Sequence, residues 1–217
     1  LDMKKTSFPE LVDLLACYPA LAVCEEAMAS AIALLISTYE HDGTVFTCGN
    51  GGSAADADHI VGELLKGFVR RRPLPTADRA ALQRENGVDG DYLASRLQCG
   101  LRAMSLMSQP GLSSAVANDL GGDLGPAQQL YGMGRKGDML IALSTSGNAR
   151  NVALASRVAK LKGIPVVGMT GIAGGHLAEL ADICIKVPER ETYRVQELHL
   201  PVYHALCRAV EAFFFPE

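Results

Sequence analysis

The stretch Cys48–Leu64 reads CGNGGSAADADHIVGEL. Just ahead of it, the β-branched and aromatic run Thr44–Cys48 predicts a buried strand that stops at Gly49-Asn50-Gly51-Gly52-Ser53. An alanine-rich helical pattern follows at once. The first amides of such a helix have no intrahelical acceptor and lie at the positive end of its dipole, so they can hold an anion. Gly51 and Gly52 permit positive φ and close approach of a ligand, and Ser53 adds a hydroxyl. One turn further on come Asp56, His59 and Glu63. His59 and Glu63 are four apart and project from one face. An anion cradle followed by an imidazole and a carboxylate points to chemistry on a phosphorylated small molecule. A plain chain reversal and a solvated His/Glu pair would fit the same residues. The turn is neither a Walker loop nor a spaced G-x-G-x-x-G, so no nucleotide or organic cofactor is expected.

Composition narrows the classes. The chain has 217 residues, 48% hydrophobic and 20% charged, with mean hydropathy +0.14. That is enough for one globular domain over 1–217, with a helical part at 1–42 and an α/β core at 43–217. A net charge of −4 and a pI near 5.8 offer no general attraction to nucleic acid. No apolar run reaches the roughly 18 residues of a membrane span, and no signal-peptide pattern opens the chain. A cytoplasmic protein without a membrane partner is expected. The six cysteines include no C-x-x-C and sit in apolar segments, which fits free thiols in a reducing compartment.

Along the chain, Phe8–Tyr18 and Leu21–Glu40 predict helices separated by Pro19. The second is apolar on more than one side, so it can pack on a partner chain as well as on its own core. The helix after Ser53 runs to about Phe68 and breaks into Arg70-Arg71-Arg72-Pro73, read in an acidic chain as a solvated turn. Thr76–Tyr92 is polar and punctuated by glycine and aspartate, with a short helix at Ala77–Gln83. Leu101–Met107 predicts a second strand, Ser113–Asn118 a helical turn, and Pro126–Met133 a short helix.

Met139–Leu143 is a continuous apolar run of the kind buried on both faces of a parallel sheet. It ends at Ser144-Thr145-Ser146-Gly147-Asn148, and the helix Val152–Lys162 follows. This repeats the logic of the first loop: hydroxyls, an amide side chain and free helix amides can surround one phosphate. Two such loops favour a ligand over simple capping. Pro165–Met169 and Ile183–Val187 predict strands, with the short helix His176–Ala181 between them. Arg194–Phe215 predicts a terminal helix bent at Pro201. The alternation implies an α/β fold whose ligands sit beyond the carboxyl ends of the strands.

With both loops in view, CGNGGSAADADHIVGEL, STSGN and QELHLPVYH resemble the sugar isomerase (SIS) domain, and within it the phosphoheptose isomerases, from about Ala20 onward. The resemblance implies a three-layer αβα fold, a five-stranded parallel sheet, and a homotetramer whose sites are shared between subunits. It implies an aldose–ketose isomerase converting sedoheptulose 7-phosphate to D-glycero-D-manno-heptose 7-phosphate. Phosphate binding would fall to Ser53, Ser144, Thr145, Ser146 and Asn148, with Gly51 and Gly52 in the cradle. Asn50, Asp119 and Gln196 would contact the sugar. Glu63 and His204 would be the base and acid, and zinc would be held by His59, Glu63, Gln196 and His204.

Helical spacing resists the last set. Gln196 and His204 are eight residues apart, about 12 Å along an ideal helix, so they meet one ion only from its two ends or across a distortion at Pro201. His199 points away from His204 and reads as structural or interfacial, and His41 and His176 as surface residues. The family often carries an arginine soon after the glutamate. Here Lys66-Gly67-Phe68 follows Glu63, leaving Lys66 or Arg70 as its replacement. Two further readings compete: a non-enzymatic SIS sensor or adaptor, which needs neither Glu63 nor His204, and an isomerase of another sugar or amino-sugar phosphate.

Overall fold

The structure, a computed structural model, describes residues 8–216; residues 1–7 and 217 of the expected span lie outside the described residues. The chain opens with α1 (Pro9–Cys17), a 3-10 segment (Pro19–Cys24) and α2 (Glu25–Glu40). The long helix expected over Leu21–Glu40 is therefore divided, its first turn and a half wound more tightly. Then come β1 (Val45–Cys48), α3 (Gly52–Leu65), α4 (Thr76–Arg96), β2 (Ala103–Ser105), α5 (Pro110–Asp119) and α6 (Gly125–Met133). The second half contains β3 (Met139–Leu143), α7 (Arg150–Leu161), β4 (Val166–Gly171), α8 (Gly175–Leu180), β5 (Ile183–Val187) and α9 (Thr192–Phe214).

The five strands form one parallel sheet in the order β2-β1-β3-β4-β5. Strand side chains alternate between faces, and this splits the core in two. Val45, Met139, Ile141, Val167 and Ile185 pack with α1, α2, α3 and α9. Phe46, Leu140, Ala142 and Val166 face α6, α7 and α8. Helices on both faces explain why β1, β3 and β4 are buried throughout and read as unbroken apolar runs. The strand order reverses between β1 and β3, which pair directly with Cys48 opposite Ala142. In open α/β sheets the ligand crevice lies beyond the carboxyl ends at such a switch point. Both candidate phosphate loops are placed there.

Three expectations need correction. Thr76–Tyr92 holds far more helix than the short stretch expected at Ala77–Gln83: α4 spans it as two helical arms folded at Gly87, whose φ of 54° a residue with a Cβ rarely adopts. A Cβ at Gly90 would fall 2.1 Å from the Leu82 carbonyl oxygen, so the arms close on each other only with glycine there. Only Gly90 and Ala94 of α4 are buried, which left no apolar period to read. The arginine turn is not solvated throughout, because Arg72 is 0% exposed. Finally, Pro19–Glu40 has 22 residues and a most apolar window of mean hydropathy 1.7, long and apolar enough to cross a membrane by length and composition. Glu25 and Glu26 interrupt it and hid it from a search for continuous apolar runs. Only 33% of its most apolar window is buried.

Candidate active site

The phosphate loops meet at the sheet edge. Ser53 is buried in the first turn of α3, and Gly51 turns the chain there with φ 55°. Across the crevice, Ser144 is buried while Ser146 and Asn148 are exposed. The second loop is braced from within. The amide of Ala149 donates to Ser144 Oγ at 3.3 Å, and that of Asn148 to Ser146 Oγ at 3.2 Å. Gly147, with φ 70°, lies so close to Gly174 that a Cβ would stand 1.9 Å from its carbonyl oxygen. Asn50 and Asn151 exchange two hydrogen bonds of 2.8 Å and tie the loops together. The amino ends of α3 and α7 thus open on one crevice, a geometry suited to an anion. Asp119 stands outside this set: it is exposed at the end of α5 and accepts a hydrogen bond from Asn118 Nδ2 at 2.7 Å.

The titratable residues gather further down α3, where α9 lies alongside. The two helices leave the same sheet edge and run in the same direction. A Cβ at Gly52 would come within 2.6 Å of Gln196 Nε2, and His59 meets Tyr203 one and a half to two turns later on each helix. His59 Nε2 lies 3.1 Å from Glu63 Oε1, and Lys66 Nζ donates to Glu63 Oε2 at 2.9 Å. Of the two cations that could follow the glutamate, Lys66 is the one at its carboxylate; Arg70 sends Nη1 to the Phe215 carbonyl. The His204 ring is 5.0 Å from that of His59 and 5.1 Å from Phe68, and its Nε2 is buried without a partner. Burial lowers the His204 pKa, the charge of His59 adds to the shift, and Glu63 opposes it. Its ring is accordingly neutral at neutral pH.

The sequence assigned no part in the site to Tyr203, Arg72 or Glu211. Tyr203 donates its hydroxyl to Asp56 Oδ1 at 3.1 Å and lies 2.9 Å from His59 Nδ1. Burial raises the Asp56 carboxyl, against the pull of Tyr203 and His59. Arg72 and Glu211 form a buried ion pair of 2.8 Å. Arg72 also donates to the carbonyls of Glu63 and Leu64, at 3.0 and 2.7 Å, capping the end of α3. A lone acid in the apolar stripe of α9, seven residues after His204, was the one sign of Glu211 in the sequence.

The four expected zinc ligands are not assembled together. His59, Glu63 and His204 are neighbours, but Gln196 stands at the start of α3, and α9 runs through Pro201 as one helix. Both Glu63 oxygens are engaged, one by a lysine ammonium. Among the described residues no group of three or more His, Cys, Asp or Glu is disposed to hold a metal. As arranged, this set does not fit the ion.

Comparison with known proteins covers the same regions. The SIS domain family matches residues 20–98 and again residues 125–212. The phosphoheptose isomerase of Rhodospirillum rubrum is 38% identical over 195 residues, 90% of each chain. The solved phosphoheptose isomerase of Neisseria gonorrhoeae superposes with TM-score 0.72 at 28% identity, covering 94% of this chain and 96% of the other. That of Francisella tularensis gives 0.73 at 26% identity, covering 90% of each. Similarity of this extent, reaching through both loops and the α3–α9 pair, means that the chain belongs to the SIS domain family and within it to the phosphoheptose isomerases.

Proposed function

We propose that the protein is an aldose–ketose isomerase that interconverts sedoheptulose 7-phosphate and D-glycero-D-manno-heptose 7-phosphate through an enediol. The observation that carries this reading is the contact of Glu63 with both His59 and Lys66, beside the neutral ring of His204. An adaptor or sensor needs the fold and the phosphate loops but has no use for such a group.

Moving the carbonyl from C2 to C1 requires a proton to leave C1 and one to return at C2. Glu63 takes the C1 proton and returns it to C2. The Lys66 ammonium, which donates to Oε2, offsets negative charge as it grows on the enediol oxygens. Neutral His204 passes a proton between the two oxygens. Ser53, Ser144, Thr145, Ser146 and Asn148 hold the phosphate, which does not change during reaction, so their binding is uniform through the cycle. Asn50 and Gln196 lie close enough to the cradle to meet the sugar. No step is routed through a metal. The six unpaired cysteines support a reducing, cytoplasmic setting.

Ser53 and Glu63 are ten residues apart on one helix, about 15 Å along its axis. One chain spans that distance only with the sugar fully extended and both side chains stretched along the helix, which favours a cradle and a base drawn from different chains of a homotetramer.

The test is Glu63→Gln, which keeps the shape of the side chain but cannot accept a proton. Isomerisation and solvent-deuterium incorporation into the ketose phosphate should both fall by on the order of 10²–10⁴, with the sugar phosphate still bound. Wild-type exchange in this variant would remove Glu63 as the base.

A further inference from the structure

Neither the proposed chemistry nor the core of the chain makes use of α4. Among the described residues it shares no packed face with another helix or strand. Its arms, 76–86 and 88–96, are held to each other instead. Gly90 lies against the Leu82 carbonyl, and Gln83 Nε2 donates to Asp91 Oδ1 at 2.9 Å. The stem is closed as well: Pro73 and Gln98 form an antiparallel bridge, and the amide of Cys99 donates to the Arg72 carbonyl at 2.7 Å. The chain thus enters and leaves the hairpin at one place, and the sheet is complete without it.

The second arm turns its larger apolar side chains outward. Gly90 and Ala94, four apart, are buried on the inner face. Val88 and Tyr92, four apart on the opposite face, are 86% and 65% exposed. Leu65, Val69 and Leu97 add exposed apolar surface at the foot of the hairpin. Helices this short are marginal in water without a surface to pack on, so the outer stripe needs a partner. The four acids and three arginines of α4 nearly balance, which draws neither nucleic acid nor an acidic lipid surface.

Where the stem stands selects the partner. Arg72, whose amide donates to Gln98 Oε1 at 3.2 Å, also donates from Nη2 to the Glu63 carbonyl at 3.0 Å. The hairpin therefore rises beside the end of α3 that carries the candidate base. A second chain that brings its cradle to this Glu63 comes up against α4. We propose that α4 is an intersubunit arm, whose Val88–Tyr92 stripe packs on a second copy of this chain beside that copy's phosphate loops. The placement beside the loops rests on the isomerase reading with shared sites.

The experiment uses the full-length chain with a photo-reactive benzophenone replacing the Tyr92 ring. Illumination should yield a covalent dimer, and its junction should map to residues flanking the Ser53 or Ser146 loop of the second copy. Adding Val88→Asp, a change at an exposed position, should keep the circular dichroism and cut the yield of dimer by about tenfold or more, because an unpaired carboxylate opposes an apolar contact. Cross-links confined to one chain would overturn the proposal. So would a junction remote from both loops, or a yield unchanged by Val88→Asp, which marks random collision. None of these readouts needs turnover. A chain that cross-links as expected yet isomerises no sugar phosphate sinks the proposed function and leaves the arm standing; an active enzyme whose arm links only to itself does the reverse.

Discussion

His199 shows how far one side chain can be committed to the interior. It is 0% exposed on the inner face of α9, and neither ring nitrogen makes a hydrogen bond of good geometry. Burial pushes its pKa down from 6.5 to about 4, tempered only by the backbone of Thr170. The folded protein therefore keeps the ring neutral, while the unfolded chain takes up a proton once the pH drops through 6.5. Between those two values the unfolded state holds more protons, so stability falls as pH falls; above 6.5 the ring contributes no pH dependence. The full loss is roughly 3 kcal/mol by linkage. Urea midpoints measured from pH 7 down to 4.5 should drop less in His199→Leu than in the wild type. Parallel slopes for the two proteins would show that His199 is hydrated or already paired.

At the scale of elements, the segment that follows α3 is held by one carboxylate on α9. Glu211 accepts the amides of Phe68, Val69 and Arg70, at 2.8, 2.8 and 3.0 Å, and pairs with Arg72. Burial alone would raise its carboxyl, but those amides and the guanidinium more than reverse the shift, so the pKa is lowered. Arg72 in turn caps the last carbonyls of α3, the turn that carries Glu63 and leads to Lys66. The pair thus links α9 to the orientation of the candidate base. Glu211→Leu leaves a buried guanidinium and three amides without an acceptor, and should cost about 3–5 kcal/mol in denaturant unfolding. Adding Arg72→Leu removes the stranded charge and should recover part of the loss, though the amides stay unsatisfied. A single-variant loss below about 1 kcal/mol would mean that water replaces the pair.

For the whole molecule, the apolar surface of Pro19–Glu40 and the distance from cradle to base lead to the same expectation. A segment whose most apolar window has mean hydropathy 1.7 and is only a third buried has area left to cover, and a second copy of the chain is the occupant we propose. Light scattering should give a tetramer. Hybrids provide the sharper test. Glu63→Gln and Ser146→Ala, each impaired alone, should recover activity when the two chains are co-assembled, because some mixed sites then combine an intact cradle with an intact base. A stable monomer, or one that partitions into vesicles, would discard the assembly, and hybrids without recovery would place each site within one chain.

What the sequence determined by itself was local. The anion cradles follow from apolar strands that end in glycine or hydroxyl turns and feed helix starts, where adjacent residues supply the amides, the φ freedom and the hydroxyls. The period of His59 and Glu63 placed them on one face of α3, and the three separated motifs carried the family. Tertiary structure decided what depends on partners far along the chain. The Arg72–Glu211 pair spans 139 residues, and in an acidic sequence nothing local separates a buried arginine from a solvated one. Tyr203 reads as one more apolar residue of α9 until α3 brings Asp56 and His59 to its hydroxyl. Gln196 and His204 look like partners in a motif, yet an unbroken helix beside α3 sets one at the cradle and the other at the base. α4 showed no period because its arms pack chiefly on each other. For the ion pair and for Tyr203 the deciding energy lies in a desolvated contact between elements, and such a contact exists only after the elements have met.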